Sequence, residues 1–103
     1  MRMMLFVTFP TARFNELWLE GEVGPKIKAI LEDTQPEAAY FGKSVGGERG
    51  AVIIVNVADE ADISRVTEPW YLTFEAEVET SVCMLPQDVG KIDMAALTEK
   101  YGD

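Results

Sequence analysis

Residues 51–57 read Ala-Val-Ile-Ile-Val-Asn-Val, apolar at both parities except at Asn56. Successive side chains of a β-strand point to opposite faces of its sheet, so a strand of this composition demands cover on both sides. A single layer of helices covers only one of them. The chain has 103 residues, enough for one layered core and not for two. Residues 1–103 are therefore expected to form one domain, and the second face of its sheet has to be covered by something other than its own helices.

The other elements arrange themselves around this strand. Met3 to Phe9 is a short apolar run closed by Pro10 and reads as a first strand, buried on both faces. Thr11 is placed as an N-cap, beyond which Phe14, Leu17, Trp18, Gly21, Gly24, Ile27 and Leu31 fall near one face at a period of 3.6. Pro25 lacks a backbone donor and disfavours helical geometry at Gly24, which predicts a kink or break at 24–25 and a second short helix to about Asp33. Glu37 to Val45 and Ala51 to Val57 flank the loop Gly46-Gly47-Glu48-Arg49-Gly50 and read as a hairpin. Asp59 is a suitable N-cap for a helix carrying Ile63 and Val66, expected to stop near Pro69.

The run from Glu75 to Leu85 alternates strictly. Ala76, Val78, Thr80, Val82 and Met84 share one face, and Glu75, Glu77, Glu79, Ser81 and Cys83 share the other, as in a half-buried fourth strand. Past Pro86, residues 93–101 predict a short amphipathic tail helix through Met94, Leu97 and Tyr101. The order βαββαβ, with two right-handed crossovers around an antiparallel hairpin, gives an α+β, ferredoxin-like sandwich. Its four-stranded antiparallel sheet carries helices on one face. Its bare apolar face is expected to pair with that of a second copy, making a homodimer.

Composition narrows the chemistry. There is no histidine and one cysteine, Cys83, so Cys/His zinc patterns, histidine-based triads, a histidine haem ligand and an internal disulfide are all excluded. No metal and no cofactor is expected. Nine basic residues against 18 acidic ones give a net charge of −9, which disfavours nucleic acid as a partner. Eleven of the acids follow Ala58, with only Arg65, Lys91 and Lys100 among them. Glu75, Glu77 and Glu79 read as a charged strand face that discourages edge pairing, because three ligands from one flat strand do not surround an ion. The opening residues meet Pro10 too early for a signal peptide, and no apolar stretch approaches a membrane span. A cytoplasmic protein with no membrane partner is expected.

The element order resembles the dimeric α+β barrel superfamily over about the first 90 residues. That superfamily includes muconolactone isomerases, cofactor-independent monooxygenases and polyketide cyclases. Locally, PEAAYF (36–41), GERGAVIIVNV (47–57), EPWYLTFEAEVE (68–79) and MLPQDVGK (84–91) resemble a group of small proteins in it without an assigned activity. Among named activities the chain is distantly similar to muconolactone isomerases, in the short first strand ending in Pro10, the hairpin, and the last strand reaching Pro86.

The resemblance implies a ligand held inside each protomer, between the helices and the concave sheet. Phe14, Trp18, Tyr40 or Phe41, Trp70, Tyr71 and Phe74 fall on the elements expected around that space. Phe14, Trp18, Tyr40, Trp70 and Phe74 are the candidate lining for a small apolar or aromatic ligand, the alternative being ordinary core filling. Which of Tyr40 and Phe41 faces the helices depends on a register the sequence leaves open. Without histidine, acid/base work falls to a carboxylate, tyrosine or lysine, and Glu22, Glu68 and Tyr40 are the candidates. Arg49 could pair with an anionic ligand or an acid across the dimer. Two classes of function follow: a cofactor-independent isomerase, cyclase or monooxygenase acting on a small aromatic or polyketide-like compound, or a non-catalytic dimer that binds a ligand or a protein.

Overall fold

The two most apolar strands occupy the middle of the sheet. In the computed structural model, which describes residues 1–103, β1 (Arg2–Thr8) is followed by α1 (Thr11–Leu19), α2 (Val23–Thr34), β2 (Ala38–Lys43), β3 (Arg49–Asn56), α3 (Glu60–Phe74), β4 (Glu77–Val82), a one-turn α4 (Pro86–Val89) and α5 (Met94–Tyr101). The sheet order is β2-β3-β1-β4 and every neighbouring pair is antiparallel. This is the α+β, ferredoxin-like arrangement that the element order predicts.

Register decides which residues are core. β1 pairs with β3 from Arg2 opposite Asn56 to Thr8 opposite Gly50. One face collects Met3, Leu5 and Val7 with Ala51, Ile53 and Val55, all buried together with Leu17, Val23 and Ile30 from α1 and α2 and Val66, Trp70 and Phe74 from α3. Each large side chain so buried stabilises the fold by roughly 1.5–3 kcal/mol. The opposite face presents Met4, Phe6, Val52, Ile54 and Tyr40, none of them buried. On β4, Val78 stands opposite Val7 on the helix side, so Glu77 and Glu79 belong to the open face.

Three local expectations are corrected. The first helix breaks at Gly21 and not at Pro25: Gly21 has φ 71°, its N–H donates to Trp18 O, and the Glu22 N–H donates to Leu17 O. Together these form a Schellman ending, which favours glycine at the left-handed position. Pro25 lies in the first turn of α2, where a missing N–H leaves no bond unmade. Thr11 is the first helical residue and Pro10 the N-cap, with no side-chain capping bond.

The third correction is Pro69, which sits inside α3. A proline in a helix interior costs about 3 kcal/mol. Stopping there would have released Trp70 and Phe74, both fully buried, and those two side chains outweigh it. The helix ends instead at Glu75, with φ 54°, so the fourth strand starts at Glu77 and only Glu77 and Glu79 remain of the glutamate row. Asp59 caps α3 as the sequence predicts, its side chain accepting from Asp62 N–H at 3.0 Å.

Asp62 secures the same corner. Its carboxylate accepts from Arg65 Nε at 2.6 Å and from Ala58 N–H at 2.9 Å, and these bonds, the Arg65 one foremost, hold its pKa down to about 2. A depressed carboxylate pKa adds stability that is complete above the unfolded-state value and is lost as pH falls through the folded one. Stability is therefore expected to decline between the ordinary value of 3.8 and about 2, and Asp62→Asn should flatten that part of the profile. Denaturant midpoints followed across the window check this; equal acid slopes for the two proteins would contradict it. Glu37, bonded to Arg2, and Asp88, bonded to Lys91, are lowered in the same sense.

No helix is long and apolar enough to cross a membrane. The molecule measures 60 × 28 × 21 Å with a radius of gyration of 17.3 Å, against about 13 Å for a compact chain of this length. Beyond β4, α4 and α5 contain no buried residue.

Candidate functional site

The space between helices and sheet is packed with rings. Phe9 is 4.9 Å from Phe74, 5.3 Å from Phe14 and 6.0 Å from Trp70, centroid to centroid, and Trp70 stacks on Phe74 at 6.0 Å. Such spacings are those of favourable aromatic pairs. Phe14 and Trp70 both stack on Phe74, Phe14 at 6.1 Å, so these three candidate lining residues sit in one ring cluster. Arg49 closes the top of this cluster: its guanidinium lies 4.5 Å from the Phe14 centroid, and its Nη1 donates to Asn15 Oδ1 at 2.8 Å. That ties the start of β3 to α1 and gives Arg49 a partner within its own chain.

Two of the candidate lining residues lie elsewhere. Trp18 is 64% exposed on the outer side of α1, beside Gly21, Val23, Gly24 and Pro25 around a shallow depression of about 270 Å³. The reason is helical phase: Leu17 takes the inward position, and the next residue turns about 100° away. Tyr40 is 69% exposed on the open face, opposite Val52, whereas Phe41 stands opposite Ala51 on the helix side, 6.4 Å from Trp70. The pleat admits one of the two, and it is Phe41. A Cβ added at Gly21 or Gly24 meets nothing within 4 Å, so neither glycine makes room for a ligand.

The larger concavity is on the open face. A groove of about 700 Å³ is floored by Phe6, Thr8, Tyr40 and Val52. The hairpin loop from Ser44 to Gly46 forms one wall, and Glu77 and Glu79 stand across from it on β4. Gly50 makes this shape possible, since a Cβ there would lie 2.7 Å from Val7 O and 3.6 Å from Ser44 Cβ. Gly50→Ala is expected to force the hairpin off β1 and destabilise the protein by about 1–3 kcal/mol, read as a lower thermal midpoint. An unchanged midpoint would show that the close approach is dispensable.

Chemically the groove offers apolar area with an acidic rim. Glu48, Glu77 and Glu79 border it against the single cation Lys43, which favours a neutral or cationic occupant over an anion. Glu22, Glu68 and Tyr40, the acid/base candidates, are not assembled: Glu22 flanks α2, Glu68 is exposed on α3, and the sheet separates both helices from Tyr40. All three are exposed to water. No three His, Cys, Asp or Glu side chains converge, and every buried side-chain polar atom has a hydrogen-bond partner. Cys83 is half-buried.

Phe6, Val52 and Gly50 were not singled out as site residues by the sequence pattern. Their signal was present in the even positions of the central strands, where Met4, Phe6, Val52 and Ile54 continue the apolar character. No protein-family model matches the chain, and no curated protein does.

Proposed function

We propose that this protein is a small-molecule-binding module that works as a homodimer, with a small apolar or aromatic ligand held in the open-face groove under a second copy. The observation that carries the reading is the position of the groove: Phe6, Tyr40 and Val52 floor it on the one sheet face that no helix covers. The resemblance to dimeric α+β barrels supports pairing through that face. The filled helix side moves the expected ligand from the interior of each protomer to the interface. Isomerase, cyclase or monooxygenase chemistry requires an acid or base held out of water beside the ligand, and the exposed, separated Glu22, Glu68 and Tyr40 favour binding over catalysis.

Amide chemical shifts recorded during titration with indole, a neutral planar probe, test the location. Shifts are expected at Phe6, Tyr40, Gly42 and Val52 and should disappear in Phe6→Ala. Shifts confined to Trp18, Gly21 and Gly24 would overturn the assignment. Native mass spectrometry against a metabolite extract then identifies the natural occupant.

A further inference from the structure

We propose that the C-terminal segment from Cys83 to Asp103 is an exchanged arm that docks on a second copy of this chain; the inference rests on the pairing proposed above and adds the contact that makes it stable. Three observations converge on it. First, α5 is eight residues long and has no buried residue. Isolated helices shorter than about 12–15 residues are marginal in water, so a helix this short needs a surface to lie on. Its Met94, Leu97 and Tyr101 are all exposed at positions that share one stripe, and Val89 and Ile92 just before it are exposed as well.

Second, the arm leaves the body beside the open face. Cys83 N–H donates to Arg2 O at 3.1 Å, extending the β1–β4 ladder one step past Val82. The α4 carboxylate of Asp88 then feels the charge of Arg2, whose alternation with buried Met3 puts it on the open side. Beyond that point neither α4 nor α5 buries a residue against the body. A copy seated on the open face meets the arm at its edge.

Third, the arm enlarges what the sheet face can bury. Four strands about 4.8 Å apart and about seven residues long project to roughly 450 Å², and the apolar stripe of the arm adds to the accessible area that face offers towards the about 800 Å² a stable interface buries on each partner. Reciprocal exchange doubles its contribution, because a two-fold pair buries both arms.

The test uses the full-length chain and the double variant Met94→Asp/Leu97→Asp, whose changes lie outside the packed core. Sedimentation is expected to show a dissociation constant raised at least tenfold. Hydrogen exchange should show α5 amides protected in the wild-type dimer and unprotected on dilution to monomer. An unchanged dissociation constant overturns the arm and leaves open-face pairing intact. Protection of α5 that persists in the monomeric open-face variant Ile54→Asp also overturns it, since the helix then lies on its own chain. A wild-type chain that never pairs overturns the pairing reading itself, and the arm with it.

Discussion

Trp70→Ala is expected to destabilise the protein by about 3–5 kcal/mol, a large part of the 5–15 kcal/mol that holds a small domain folded. The indole is 1% exposed and touches Phe9, Phe41 and Phe74, contributed by the residue that follows β1, by β2 and by its own helix. Removing it leaves a cavity that these rings cannot close, because they are fixed by strand and helix positions that the rest of the core also uses. It also withdraws the burial that keeps α3 helical through Pro69. Urea unfolding reads the loss directly. Trp18→Ala, on the exposed side of α1, should fall within about 0.5 kcal/mol of wild type. The sequence offered both tryptophans as candidate ligand lining, with core filling as the alternative; their burial predicts that one change cripples stability and the other is nearly silent.

On the proposed open-face pairing, Ile54→Asp is expected to separate the two copies, raising the dissociation constant at least a hundredfold, or about 2.8 kcal/mol. Ile54 stands near the middle of the open face, opposite Met4 on one side and Ala38 on the other. A carboxylate there is well hydrated in the monomer and has no cation directly across either ladder, so covering it strands an unpaired charge. The neighbouring Ile53→Asp should behave differently. Ile53 is buried against the helices opposite Leu5, and a charge at that position is expected to unfold the chain. Circular dichroism together with light scattering distinguishes a folded monomer from an unfolded one. Two folded dimers would contradict the face assignment.

The strands were legible because alternation and β-branched content carry their own period. The acidic open side of β4 followed from the alternation of Glu77 and Glu79 with Val78, whereas Val-Ile-Ile-Val, apolar at both parities, left the buried set on β3 to the tertiary register. What escaped was decided by packing that lies far apart in sequence. Pro69 is a breaker by local rules, and only the burial of Trp70 and Phe74 keeps α3 intact past it. Trp18 and Leu17 are adjacent apolar residues, so helical phase had to choose which turned inwards. Tyr40 and Phe41 posed the same choice in a strand, and the pairing of Phe41 with Ala51 settled it. The groove was missed for a further reason. Its floor consists of side chains that the pattern marked only as needing cover, and its curvature depends on the contact of Gly50 with Val7 O, a tertiary approach with no local signature.

Whether the open sheet face is a pairing surface is decided by sedimentation equilibrium of the untagged wild-type chain at micromolar concentration. The expected result is a species of twice the 11.4 kDa chain mass, dissociating on dilution. A single species of 11.4 kDa across the micromolar range would contradict the pairing.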